Sequence, residues 1–319
     1  MFISYSWLKE YINFDLSPAE LSNKLTLSGL EVENLTEKNV TDALLEINIT
    51  PNRPDCLSFI GIAREISALT GCPVKYPDST VIEKGEDIGT LASVILKDEH
   101  LCPRYSARVI QNVKVGPSPQ WLVDKLDSIG TRSINNIVDI TNFVLLELGH
   151  PLHAFDYDLL KENRIIVRRG INGERLVAID NTTCDIKDTM LVIADADRPV
   201  AIAGVIGGKM TEVSENTTNI LLESAYFDSV QIRRTSKKLG LQTESSYRFE
   251  RGADPENVLK ASNRATELIL KLAGGKASKG IIDIYPKRIS SPEITLQLES
   301  VNKILGTKLS ENKVKDFME

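Results

Sequence analysis

Histidine, cysteine and surplus positive charge are all scarce in this chain. Its 319 residues include three histidines and four cysteines. The cysteines, Cys56, Cys72, Cys102 and Cys184, lie far apart and form no CxxC pair. They read as buried thiols, with a reducing compartment as the default. Acidic residues outnumber basic ones, the formal charge is −6 and the pI is near 5.4. That excludes a blanket basic surface for nucleic acid but leaves room for a local basic patch. No apolar run approaches the roughly 18 residues of a membrane span. The opening stretch MFISYSWLKEYINF has charges inside it and no cationic start before an apolar core, so it does not read as a signal peptide. A cytoplasmic protein is expected. The remaining composition, 42% hydrophobic and 26% charged, is ordinary for a soluble globular chain long enough for two or three domains.

The pattern predicts a small helical unit over residues 1–88. SWLKEYI places Trp7, Leu8, Tyr11 and Ile12 on one helical face. Ser17, Pro18 and Glu20 form a capping box with a proline start. Leu45, Ile47 and Ile49 alternate as in a strand. A helix follows, with Leu57, Ile60, Ile66 and Leu69 as its stripe and Gly71 as its stop. The polar stretch CPVKYPDSTVIEKGED reads as a linker, which sets a boundary near residue 88. Residues 89–288 mix short β-branched runs with helices that do not strictly alternate, so the expected class is α+β. Their last helix has Asp254 as cap, Pro255 as opener, a stripe of Val258, Ala261, Ala265, Leu268 and Leu272, and Gly274 and Gly275 as its end. Residues 289–319 begin a second small helical unit that weakly echoes the first. Its final helix starts at Ser310 without a partner to bury its apolar face, so an incomplete unit is expected.

Several clusters can carry chemistry. His150 and His153 lie three residues apart with Pro151 between them. A helical zinc pair wants a spacing of four and a third ligand, and neither is present. A turn histidine held by backbone hydrogen bonds and a general base or water-orienting group both stay open. AIAGVIGGK, Ala201 to Lys209, is neither a P-loop nor a dinucleotide fingerprint. It is a tight turn between strands or a place where backbone closely approaches a ligand. Glu223 follows Ile220-Leu221-Leu222. A charge that ends a buried strand is usually at the surface; if it points into a cavity it accepts from a ligand hydroxyl or ammonium. Gln231 to Gly252 carries Arg233, Arg234, Lys237, Lys238, Arg248 and Arg251 with Tyr247 and Phe249 interleaved. This is a solvated helix face with Arg–Glu pairs or a phosphate-binding patch. Arg132, Asn135, Asn136, Asp139, Thr141 and Asn142 line a pocket or cap a helix.

Taken together, ISYSWLKEYINFDLSPAELSNKLTLSGLEVE, LEINITPNRPDCLSFIGIAREISALTG, RSINNIVDITNFVLLELGHPLHAFD, AIAGVIGG, NILLESAYF and LGLQTESSYRFERGADPE resemble, in order, segments of the bacterial phenylalanine–tRNA ligase β subunit. The resemblance covers essentially the whole chain. It implies an N-terminal helical, winged-helix-like domain (1–88), an editing module with a β-sandwich core (89–288) and the start of a second helical domain (289–319). The resemblance also implies that the family's inserted OB-type tRNA-binding domain is absent near residues 39–42, and that the family's C-terminal half is not represented in these 319 residues. Aminoacylation lies on the family's other subunit, so this chain alone is not expected to charge tRNA. The editing module hydrolyses tyrosine wrongly esterified to the tRNA for phenylalanine. By the resemblance Glu223 accepts the tyrosine hydroxyl, Gly207 makes a backbone contact, and His153 is the editing-site histidine, with His150 left as a turn residue. Arg132 and Thr141 match polar residues around the ester and terminal ribose, with Asn142 beside them, and Thr243 and Ser245 match the pocket wall. Arg233, Arg234, Lys237, Lys238 and Arg248 are the expected tRNA contacts. ATP and magnesium belong to the complete ligase, with no cofactor or metal expected for editing, and the α subunit is an expected partner where its interface survives. The competing expectation is a non-catalytic, structural or tRNA-contacting fragment.

Overall fold

The computed structural model describes residues 1–38 and 42–318. Residues 39–42, where the family's inserted domain is expected to be absent, fall largely outside the described residues. The chain forms two units, Met1–Pro286 and Lys287–Glu319.

The first unit opens with β1 (Phe2–Ser4), α1 (Tyr5–Leu8), α2 (Pro18–Leu27), β2 (Val32–Glu37), β3 (Ala43–Ile47) and α3 (Phe59–Thr70). The three strands pair antiparallel in the order β1-β3-β2. The capping box at Ser17 and Glu20 forms, and Gly71 ends α3 in the left-handed region. Two expectations change. The first helix is a single turn, yet Trp7, Leu8, Tyr11 and Ile12 are all buried, because Trp7 stacks on Phe59 and Phe143. Leu69 is exposed; the buried face of α3 runs through Phe59, Ile62, Ala63 and Ile66.

The boundary expected at residue 88 is not one in the packing. The polar segment before it already enters a sheet as β4 (Glu83–Asp87), followed by α4 (Ile88–Leu91), β5 (Ser93–Leu96), β6 (Arg104–Gln111), α5 (Gln120–Ser128), α6 (Asn136–Leu148) and β7 (Leu152–Asp156). Then come β8 (Arg164–Arg169), β9 (Arg175–Val177), β10 (Thr183–Asp185), β11 (Leu191–Ala194), β12 (Pro199–Ile202), β13 (Ile206–Gly207) and β14 (Asn219–Tyr226). The unit closes with α7 (Ser229–Leu239), α8 (Glu244–Phe249), α9 (Asn257–Leu272), β15 (Lys276–Lys279) and β16 (Ile282–Ile284). β4 pairs parallel with β15 and is exposed and polar, so no apolar pattern announces it. One hydrophobic cluster joins Ile3, Trp7 and Phe59 to Ile140, Val144, Ala261 and Leu268.

A six-stranded sheet runs β4-β15-β6-β14-β7, with β16 also on β6, and a five-stranded sheet runs β13-β12-β11-β8-β5. Alternation along the six-stranded sheet explains its two faces. Ile110, Ala154, Ile220 and Leu222 join the cluster containing α6 and α9. Tyr105, Ala107, Val109, Phe155, Leu221 and Ala225 join the cluster with Ile165, Val167, Leu191 and Ile202 of the five-stranded sheet. Helices, one sheet and a second sheet therefore stack as layers, in the expected α+β class with a sandwich core. α9 starts later than expected. The Asp254 carboxylate accepts from Glu256 N, and the Pro255 carbonyl accepts from Arg104 Nη1 at 2.8 Å. Those contacts hold the segment in a turn, and Glu256 takes the cap position.

The second unit holds α10 (Leu298–Leu305) and α11 (Glu311–Met318). Asn302 ties them by bonding Thr307 and the backbone of Leu309. Neither helix has a buried residue.

Candidate active site

The open edges of the two sheets, β7 and β13, border a cavity of about 440 Å³. Local sequence builds its walls. α6 starts at Asn135, whose side chain accepts from Ile137 N and Val138 N. It stops at Gly149, which is left-handed and sits against Ser58, and Pro151 then launches β7. His150 is fully buried in this turn, edge-on to Phe249, and burial pushes its pKa down to about 3. It is a packing residue. His153, three residues on, lines the cavity.

Glu223 lies directly opposite His153 in the β14–β7 register. The strand does not end at Leu222; it continues to Tyr226, so the carboxylate is a mid-strand residue on the sandwich face and is buried. Its Oε2 accepts from Tyr105 Oη at 2.7 Å. Among the described residues Oε1 has no hydrogen-bond partner. Burial raises the Glu223 pKa to about 7, against the smaller lowering pull of the Tyr105 hydroxyl. Burial also lowers His153 to about 4. At neutral pH the pair is thus a neutral imidazole facing a carboxyl near its midpoint of ionisation.

The His153 ring packs edge-on to Phe155 at 4.4 Å, with Nε2 sealed and unpartnered. A Cβ on residue 207 would stand 2.3 Å from its Cε1 and 2.7 Å from Nε2, so any side chain at position 207 would have to displace the ring. Thr243 caps α8 and donates to the Val205 carbonyl at 2.8 Å, tying the glycine-rich turn to the cavity wall beside Ser245. Thr141 and Asn142 line the α6 side, and Thr141 Oγ1 donates to Val138 O at 2.7 Å.

The polar run before α6 divides by position. Asp139 is buried and accepts from Ser118, Ser133 and Ile134 N; Asn136 bonds Lys114 O and Gly116 N. These are structural. Arg132 is exposed on the preceding loop and does not line the cavity, contrary to the expected catalytic placement. Arg248 is also corrected. It is buried, donating from Nε to Leu57 O at 3.1 Å and from Nη1 to Glu244 at 2.6 Å, so it holds α8 to the N-terminal segment instead of joining a surface patch. Arg233, Arg234, Lys237 and Lys238 remain exposed on α7. The Tyr105–Glu223 contact carries no local sequence signal, because it joins strands far apart in the chain.

A family model, the B3/4 domain, matches residues 101–274, more than half of the chain. The chain belongs to the B3/4 domain family. The matched span of this B3/4 chain contains every cavity residue named above. Its curated relatives include the phenylalanine–tRNA ligase β subunits of Geobacter sulfurreducens, 52% identical over 86% of this chain and 34% of that protein, and of Moorella thermoacetica, 51% over 87% and 35%. That of Thermotoga maritima is 45% identical over 88% and 36%. The B3/4 chain thus spans about a third of the length of the curated relatives it matches. An N-terminal fragment of the phenylalanyl-tRNA synthetase β subunit from Pyrococcus horikoshii aligns over the whole chain at 15% identity, with a TM-score of 0.45. Among the described residues, no helix is long and apolar enough to cross a membrane. One group there has metal-ligand spacing, Asp55, Cys56 and Glu65, and Arg53 Nη2 already bonds all three.

Proposed function

We propose that this cavity is an editing site that hydrolyses tyrosine wrongly esterified to the tRNA for phenylalanine. The observation that carries the reading is Glu223, buried in the cavity directly across from His153, with one carboxyl oxygen unspent. Tyrosine is phenylalanine plus a hydroxyl, and an apolar synthetic pocket rejects it by only about a hundredfold. A buried acceptor reverses the preference. Phenylalanine leaves the acceptor unpaired, at a cost of about 1–3 kcal/mol, whereas tyrosine satisfies it. The neutral His153 orients a water and the ester, and water is the nucleophile, since the cavity lining pairs no serine or cysteine with a base. Thr141 and Asn142 face the terminal ribose. Gly207, Thr243 and Ser245 shape the wall.

The exposed cations of α7, Arg233, Arg234, Lys237 and Lys238, meet the tRNA backbone, and the exposed Arg132 meets it outside the cavity. Editing needs no nucleotide or metal cofactor in this reading; ATP, magnesium and the α subunit belong to the complete ligase. The test is release of tyrosine from pre-charged tyrosyl-tRNA for phenylalanine, with phenylalanyl-tRNA as control. Wild type should release tyrosine selectively, and His153→Ala and Glu223→Ala should each lower that release by at least tenfold. Tyrosine binding without release would favour the non-catalytic, tRNA-contacting reading instead.

A further inference from the structure

Tyr105 is the titratable group nearest the candidate acceptor that the proposed chemistry leaves unused. It is fully buried on β6 and does not line the cavity. Its ring packs in the sandwich core, and among the described residues its hydroxyl bonds Glu223 Oε2 alone, at 2.7 Å. A core that needed only volume here would be served by phenylalanine; a buried hydroxyl is kept with its partner because losing the partner is costly.

Resting on the proposed editing reading, we infer that Tyr105 is the positioning residue of this site: by occupying Oε2 it holds the Glu223 carboxyl in one orientation and leaves Oε1 to accept the phenol of a tyrosyl substrate. Two phenols, one of the protein and one of the substrate, then share a single carboxylate. Each donates, so each favours the ionised form that accepts best. Tyr105 cannot give its proton up in exchange, because burial, and then the neighbouring carboxylate, raise its own pKa well above the ordinary tyrosine value. The other groups facing Glu223 do not substitute for it. His153 Nε2 has no hydrogen-bond partner among the described residues, and the Cys102 thiol donates to the Arg104 carbonyl at 3.4 Å. Asp180, Glu212 and Glu244, also in the cavity lining, are acceptors like Glu223 itself.

The test is calorimetric binding of free L-tyrosine and L-phenylalanine to the full chain from pH 5.5 to 9, for wild type and Tyr105→Phe. The inference expects the variant to lose about tenfold in tyrosine affinity, with phenylalanine affinity unchanged. It also expects the pH midpoint of tyrosine binding to move alkaline, because the donor that favours ionised Glu223 is gone. Incorporation of 4-aminophenylalanine at position 105 restores an N–H donor and should restore the preference, which a packing role would not require; this variant decides the matter if Tyr105→Phe does not fold. A tyrosine preference and midpoint unchanged by Tyr105→Phe, or not restored by the amino variant, would overturn the inference alone. A wild type that does not distinguish the two amino acids would instead overturn the editing reading on which it rests.

Discussion

Glu223 has a high pKa for a carboxyl because it is buried in mid-strand on the sandwich face. Below about pH 4.5 it is neutral in both the folded and the unfolded chain. As pH rises, the unfolded chain ionises first, so stability drains away until the folded-state value of about 7 is passed. By then the ionised group costs about 3 kcal/mol of folding stability. Glu223→Gln should therefore raise the melting temperature relative to wild type at pH 8 and leave the difference near zero at pH 4.5; thermal scans at the two values check it. The same titration sets a functional limb. Tyrosine-over-phenylalanine discrimination should rise between pH 6 and 8 as Glu223 ionises, whereas His153 is already neutral throughout that range. A discrimination that stays flat would separate Glu223 from the acceptor role.

At the scale of elements, the site depends on how closely β13 approaches β7. The His153 ring occupies the space a Cβ at position 207 would take. Gly207→Ala should displace that ring and lower tyrosine release by tenfold or more. Its cost in stability should be modest, on the order of 1–3 kcal/mol, since one side chain must move out of a packed edge. A normal release rate with a normal melting temperature would show that the ring can move freely. Elements with local signals were legible: the capping box at Ser17, the stop at Gly71, the alternation in β3 and the paired glycines after α9. Those whose signal is tertiary were not. β4 is a polar edge strand stabilised by pairing with β15, and α9 begins late because Arg104 binds the carbonyl of Pro255.

Across the whole first unit, one buried network joins the N-terminal segment to the helices behind the sheet. Glu147 on α6 is fully buried and accepts from Tyr11 Oη at 2.8 Å and from Arg264 Nε at 2.8 Å, while Trp7 Nε1 donates to Tyr11 Oη at 3.0 Å. Arg264 keeps its pair with Glu267 at 3.0 Å, so Glu147→Gln loses charge-assisted hydrogen bonds without stranding the guanidinium and should cost about 1–3 kcal/mol. Because the cluster is continuous, residues 1–286 should still unfold in one transition at a lower denaturant concentration, which chemical denaturation followed by tryptophan fluorescence would check. Two separate transitions would mean that the N-terminal segment is an independent domain after all.

The amino-acid order by itself determined the α+β class, most helix starts and stops, and the short list of residues, His153, Gly207, Glu223, Thr141, Asn142, Thr243 and Ser245, that the cavity brings together. Each of these rests on local pattern or on resemblance. Only the tertiary structure decided that Glu223 lies in mid-strand, that it faces His153 across one rung of the ladder, and that Tyr105 holds its second oxygen. Only the tertiary structure removed Arg132 from the cavity and buried Arg248. The physical reason is that register and burial are set by partners far away in sequence: β14 meets β7 and β6 across many residues, and a charge reads the same in the sequence whether its partner is water or a distant backbone carbonyl.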